Sequence, residues 1–422
     1  MKPTNTYLFV LWEGGGNVPP ILALARQMVQ RGHRILVISD PCNEPEAIAA
    51  GCEFFSYTTA PHRYSKSADT TLLKDYAAGN TIKGFRMFLD EIACGPALNY
   101  ARDVLEVLNN KKVDVVVVSE ALFGGCFAAE VKNIPCIMLI PGTLTFPAPG
   151  MPPPGMLPKK GLAGKLMDKI TLIVFNKLSA HGLPAFNNAR KELGLVPVDN
   201  IINYVYSFPK RVLVMTSPDF EFPALFPANV RITGALLDDP YVDQTEEIIL
   251  PNIEENTILI GFSTTYQNQE QLIKNVIEAI GQTSYKAIVT LGPALQEKFI
   301  NVPPNVKIFS FLPHSFILSK IAAVVTHAGH GTVIRSLANG VPLVCIPIGR
   351  DQPANAARVQ YKGAGVSLKT NAKPKQIARA IEKVIEDPVY RKNAQNLSAK
   401  LMEQKNWQLA CEELEAAAKN NR

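Results

Sequence analysis

Short apolar runs alternate with amphipathic stretches through the first half of the chain: Tyr7 to Leu11, a helix-like Ile21 to Arg31, then Ile35 to Ser39. Apolar positions three and four apart give helices, and short β-branched runs give strands, so this is the grammar of βαβ units. The stretch Val113 to Val118, five valines around one aspartate, suits a parallel strand covered on both faces, and Cys136 to Ile140 and Val212 to Met215 are similar. A second series follows, with strands expected at Thr257 to Phe262, Ala287 to Leu291, Val306 to Ser310, Ala323 to Thr326 and Leu343 to Ile346. Parallel strands at helix-length spacing imply an α/β, doubly wound sheet, and two series imply two such domains.

Between these runs lie two stretches that regular structure cannot occupy. Phe146 to Lys160 carries Pro147, Pro149, Pro152, Pro153, Pro154 and Pro158, and is expected to be a loop. Ser217 to Pro251 carries Pro218, Pro223, Pro227, Pro240 and Pro251 without sustained apolar periodicity, and marks the boundary. The expected domains are therefore 1–236 and 237–404. Lys375 to Asn420 is helical in composition and contains Trp407, so its end, about 405–422, is expected to cross back and pack on the first domain.

At 422 residues with 47% hydrophobic content the chain is long enough to fill two cores. Its net charge of +6 is spread thinly over the sequence, which argues against nucleic acid as a partner. No run approaches the roughly 18–20 apolar residues of a membrane span, and the start lacks a signal peptide's pattern. The seven cysteines are odd in number and never spaced as C-x-x-C, so neither a disulfide framework nor a zinc site is expected, and a reducing cytoplasm fits.

Two loops carry candidate chemistry. The first, Glu13-Gly14-Gly15-Gly16-Asn17-Val18-Pro19-Pro20, follows a strand and opens a helix, with Asp40 at the distance of a ribose-binding acid. A dinucleotide fingerprint would need its third glycine at Pro19, so a tight strand-to-helix turn explains these glycines as well. The second, His327-Ala328-Gly329-His330-Gly331-Thr332, also follows a strand and opens a helix. Glycines allow close approach of a ligand, while free amides at a helix start, the Thr332 hydroxyl and an imidazole can donate to phosphate oxygens. His327 and His330 as a metal pair is the alternative, but no acid or thiol nearby supplies a third ligand, and no metal is expected. Gly349-Arg350-Asp351-Gln352 then places a carboxylate and an amide after a strand, a pair suited to sugar hydroxyls.

From His327 to Gly365 the run H-A-G-H-G-T, then G-V-P-L-V, then D-Q-P-x-N-A-x-R resembles the donor signature of family 1 glycosyltransferases of the GT-B fold, the bacterial natural-product branch most of all. Gly16 to Pro20, Arg31-Gly32-His33 and Gly261 to Thr265 extend the resemblance along nearly the whole chain. It implies two facing Rossmann-like domains, the first for the acceptor and the second for the donor, and a nucleotide-diphosphate sugar, UDP- or TDP-linked, as co-substrate with no cofactor. His327, Gly329, His330, Gly331 and Thr332 would then hold the diphosphate, Asp351 and Gln352 the sugar, and Ser263, Thr264, Pro313 and His314 would lie at phosphate and base.

Two departures bear on chemistry. Asn17 stands where many relatives keep a histidine that removes the acceptor's proton, and an amide cannot serve as a base. Arg335 stands where plant relatives keep a ribose-binding glutamate. Three routes remain: Glu120, which follows the strand ending at Ser119, acts as the base; Glu13 on the glycine loop does so; or an acidic acceptor needs none while Asn17 positions it. A small hydrophobic natural product is the expected acceptor, with Met151, Met156 and Leu157 of the proline-rich loop as candidate contacts. Lys159, Lys160, Lys165 and Lys169 around an apolar segment fit either a solvated helix face or a membrane surface, without stable insertion. A homodimer is the candidate assembly. The alternatives to a transferase are a nucleotide-sugar-binding auxiliary of a partner enzyme, favoured by Asn17, and an epimerase or hydrolase on the same fold.

Overall fold

A computed structural model describes residues 4–235, 237, 253–254, 256–262, 265, 267–291, 302–310, 312–403 and 408–419. Two wholly parallel sheets form it. The first contains β1 (Thr6–Val10), β2 (Arg34–Ser39), β3 (Glu53–Ser56), β4 (Val115–Ser119), β5 (Cys136–Ile140), β6 (Arg211–Val214) and β7 (Val230–Ile232), in the order β3-β2-β1-β4-β5-β6-β7. The second contains β8 (Thr257–Gly261), β9 (Lys286–Thr290), β10 (Val306–Phe309), β11 (Ala323–Thr326), β12 (Leu343–Cys345) and β13 (Gly365–Ser367), in the order β10-β9-β8-β11-β12-β13. Both orders run outward from a first strand and then reverse, and ligands of such sheets bind beyond the strand ends at that reversal. The reversals fall between β1 and β4, and between β8 and β11.

The expected strands are present, with Leu8 registered against both Leu36 and Val116 and every residue of β4 buried. β3, β7 and β13 were not expected. They are three or four residues long, only partly buried, and lie at or next to sheet edges, so they carry too few apolar positions to show a period. β7 lies within the proline-rich Ser217–Pro251 stretch. The expected boundary after 236 adjoins 238–252, and that after 404 falls in 404–407; both segments lie outside the described residues, as does Trp407.

The last helix, Gln408–Lys419, lies on the first sheet, where Ala410, Cys411, Leu414, Ala417 and Ala418 join a core with Tyr7, Phe9 and Val117. Glu415 ties it down by accepting from Arg31 Nε at 2.7 Å, and Tyr7 donates to the Leu414 carbonyl. The proline-rich stretch has no helix or strand, as expected. It packs against the second half: Met151 is buried and its sulfur lies 3.8 Å from Arg358 Nη2. Met151 is therefore unavailable to an acceptor, whereas Met156 and Leu157 are exposed.

Candidate active site

At the reversal of the first sheet, β1 runs into the glycine loop, and Asn17 closes that loop on itself. Its Oδ1 accepts from the Gly14 amide at 3.1 Å and its Nδ2 donates to the Trp12 carbonyl at 2.9 Å. A Cβ at Gly14 would fall 2.8 Å from Asn17 Oδ1, so glycine is required there for steric reasons alone. Pro19 and Pro20 then occupy the first turn of the helix Val18–Gln30, where a missing N–H costs nothing.

Glu13 lies beneath the loop, 4% exposed, with Arg63 and Lys66 at 4.0 and 3.8 Å and no hydrogen-bond partner for Oε2. Burial pushes its carboxyl up to about 7, which puts it on the edge of ionisation at neutral pH. Asp40 does not present itself to a ribose: fully buried, it accepts from the backbone amides of Glu13 and Arg63 at 2.7 and 2.8 Å. The dinucleotide alternative therefore loses its acid.

Glu120 follows β4 at the same reversal. Burial, reinforced by the nearby Asp351 carboxylate, pushes its carboxyl up to about 8. Asp351, from the second half, is itself raised by burial, while Asn355 Nδ2 donates to it at 2.7 Å. The Asp351 carboxylate of the second half is thus close enough to Glu120 of the first to disfavour its ionisation.

On the second sheet, His327 follows β11 with its ring stacked on Phe262 at a centroid distance of 6.2 Å. A ring N–H bonds the Gly261 carbonyl, and burial pulls the imidazole down to about 4, so it is neutral at pH 7. A Cβ at Gly329 would lie 2.6 Å from His327 Nε2, which explains glycine at this position. Gly331 and Thr332 sit in the first turn of the helix His330–Ala338, partly exposed, among the unpaired amides of a helix start. His330 turns elsewhere: its Nε2 lies 3.0 Å from Thr216 Oγ1 of the first half, and its ring lies near Phe220. His314, beside Pro313, lies 3.0 Å from Thr290 Oγ1 at the ends of the neighbouring strands. Gln352 is engaged at both ends, accepting from the Ile348 and Gly349 amides and donating to Gln267. Ser263 and Thr264 lie outside the described residues.

Backbone strain singles out the same places. Six non-glycine residues among those described have φ in the left-handed region, and three are asparagines, which tolerate it. The others are Ala121 (φ 69°), Ala328 (φ 70°) and Arg350 (φ 57°), each adjoining one of Glu120, His327 and Asp351. Such conformations persist where the surroundings force them, and they cluster at ligand sites.

Contacts between the halves were not anticipated. Arg350 forms a two-pronged pair with Asp75 at 2.9 and 3.0 Å. Arg358, wholly buried, donates to Glu221 at 2.6 Å and lies over Phe222, and Asn355 Oδ1 accepts from Thr143. Asn355 and Arg358 were visible as the N and R of D-Q-P-x-N-A-x-R, but nothing in one sequence pairs them with residues more than a hundred positions away. No cluster of three or more metal-ligating side chains, and no helix long and apolar enough to cross a membrane, occurs among the described residues.

Two doubly wound parallel sheets, each with candidate residues at its reversal, place the chain in the class of two-domain Rossmann-like proteins. Comparison with known proteins gives the same class. Residues 274–416 match the family described as erythromycin biosynthesis protein CIII-like, C-terminal domain. The 4'-demethylrebeccamycin synthase of Lentzea aerocolonigenes is 26% identical over 392 residues, covering 91% of this chain and 92% of that one. The solved glycotransferase of kitacinnamycin superposes with a TM-score of 0.76 at 21% identity, covering 98% and 99% of the two chains. The calicheamicin glycosyltransferase superposes at 0.74 with 20% identity and 99% coverage of each. The chain has the GT-B fold of these solved structures and is a glycosyltransferase, similar along its length to those of natural-product type.

Proposed function

We propose that the chain transfers a hexosyl group, with inversion, from a UDP- or TDP-sugar to a hydroxyl of a small hydrophobic natural product, in a reducing cytoplasm. The observation that carries this reading is the coincidence of left-handed backbone at Ala121, Ala328 and Arg350 with the ends of the strands that border the cleft. In this reading Glu120 accepts the acceptor's proton, the acceptor oxygen bonds the anomeric carbon, and the bond from that carbon to the diphosphate breaks. The departing charge is met by the amides at the start of His330–Ala338, by the Thr332 hydroxyl and by His327, while Asp351 binds sugar hydroxyls. Gln352 shapes the loop that presents Asp351, and Glu13 is the second candidate for the base. His330 contributes by joining the halves at Thr216.

A second reading, a nucleotide-sugar-binding auxiliary of another transferase, draws on Asn17, whose amide is committed to the loop itself. Calorimetric titration of UDP and TDP into the native chain and Thr332→Ala tests the donor half of the proposal. Roughly tenfold weaker binding in the variant is expected, for the loss of one hydrogen bond to a charged group. Equal affinity would remove Thr332 from the phosphate site, and no binding of either nucleotide would sink both readings.

A further inference from the structure

The helix Gly161–Ser179 has an inner face and an outer face that do not match a water-facing helix. Gly164 and Thr171 are buried on the inner side, Phe175 sets its ring edge-on to Phe85 at 6.0 Å, and Asn176 accepts from Asn200 at 3.0 Å. Outward point Leu162, Leu166, Ile170 and Ile173, which are 85%, 59%, 51% and 57% exposed. Spacings of four, four and three residues place these side chains along one line of the helix. Met156, Leu157, Leu172 and Val174 are exposed beside them, so eight of the nineteen large apolar side chains exposed among the described residues fall between 156 and 174. Single exposed leucines are ordinary, but a continuous stripe marks a surface built to be covered.

The charges say what covers it. From 156 to 179 the chain has Lys159, Lys160, Lys165, Lys169 and Lys177, all exposed, against the single acid Asp168. Lys165 and Lys169, one turn apart, run along one edge of the stripe. A second copy of the chain is a poor occupant, because a two-fold contact through this face would set the same lysines against each other. An anionic lipid surface accepts both features: the acyl boundary takes the leucines and isoleucines, and headgroup phosphates take the ammonium groups, which long lysine stems can reach.

We propose that the helix Gly161–Ser179 docks flat on an anionic bilayer surface, apolar stripe inward and lysines at the headgroups, so that the chain is held on the membrane without crossing it. This goes beyond the transferase reading and stands independently of it. It would also bring the enzyme to the phase in which a hydrophobic acceptor dissolves.

Flotation with phosphatidylcholine vesicles, with and without phosphatidylglycerol, tests the proposal on the full chain. The native chain should float with the anionic vesicles, be released by high salt, and stay behind with phosphatidylcholine alone. Lys165→Gln with Lys169→Gln should weaken binding roughly thirtyfold, about fivefold for each charge removed. Leu166→Glu with Ile170→Glu should abolish it, and because all four side chains are exposed, both variants should melt as the native chain does. The proposal is overturned if the native chain fails to float, if it binds both vesicle types equally, or if either double variant binds as well as the native chain. It is equally overturned if light scattering shows a dimer that Leu166→Glu with Ile170→Glu splits, which would assign the stripe to a second copy.

Discussion

Replacing Glu120 by glutamine removes the candidate base while keeping its size, and the structure fixes what the pH profile should then do. With its carboxyl at about 8, only about a tenth of the native chain carries an ionised Glu120 at pH 7, and about a thousandth at pH 5. A general base must be deprotonated in the free enzyme, so kcat/KM should rise about tenfold per pH unit below pH 7, bend near 8 and flatten above 9. Glu120→Gln should lose on the order of 10²–10⁴ in kcat/KM at the plateau and lose the bend with it. The assay is nucleotide release with a phenolic acceptor, measured from pH 5.5 to 9.5 for both chains. Retention of the native plateau and of a bend near 8 in the variant would refute the assignment. A bend near 7 that survives Glu120→Gln would move the role to Glu13, whose carboxyl sits at about 7.

Other outcomes follow from the same geometry. His327 is neutral in the free chain and gives its one N–H to Gly261, so holding a diphosphate as a donor requires it to take up a proton. UDP or TDP binding should therefore tighten as pH falls from 8 toward 5, and its heat should vary with the ionisation enthalpy of the buffer; a heat independent of buffer would contradict this. Arg350→Ala breaks the pair with Asp75 and loosens the two halves, and should raise the KM for donor severalfold with melting little changed; Asp75→Asn should do the same, and a native KM in both would dismiss the clamp. Glu13 is buried with its carboxyl raised, so its contribution to stability is full below about pH 4.5 and is lost as pH rises through 7. Glu13→Gln should consequently raise the melting temperature at pH 8 by a few degrees and leave it nearly unchanged at pH 4.5. Leu414→Ala empties a fully buried site between the last helix and the first sheet, and should cost about 2–5 kcal/mol in denaturant unfolding.

The sheets were legible because a parallel strand buried on both faces has to be apolar along its length, as β1, β4 and β5 are, and because a turn from strand to helix needs glycines where the backbone closes in. The last helix was legible in its helix-forming composition, and the residues it buries, Cys411, Leu414, Ala417 and Ala418, recur at helical spacing. Short edge strands such as β7 carry no period to read. Within the site, motif residues were visible but their partners were not. His330 appeared as part of a phosphate loop, yet its nitrogen meets Thr216 on the other half. Gln352 appeared beside Asp351 as a polar pair, yet its amide is held by Ile348, Gly349 and Gln267. Asn17 showed what chemistry it lacks, and only the coordinates show that it staples its own loop. Such long-range pairings depend on how two sheets meet, which no local pattern encodes.

The central claim, that the cleft between the sheets moves a sugar from a nucleotide to an acceptor, is met most directly by nucleotide release from UDP-glucose and TDP-glucose with and without a pool of hydrophobic phenols and alcohols, followed by mass detection of the products. The account predicts release that depends on acceptor, one added hexose per product, and loss of both in Glu120→Gln. Nucleotide binding with no release under any acceptor, or release that proceeds equally without one, would contradict it, the first pointing to an auxiliary binding protein and the second to a hydrolase.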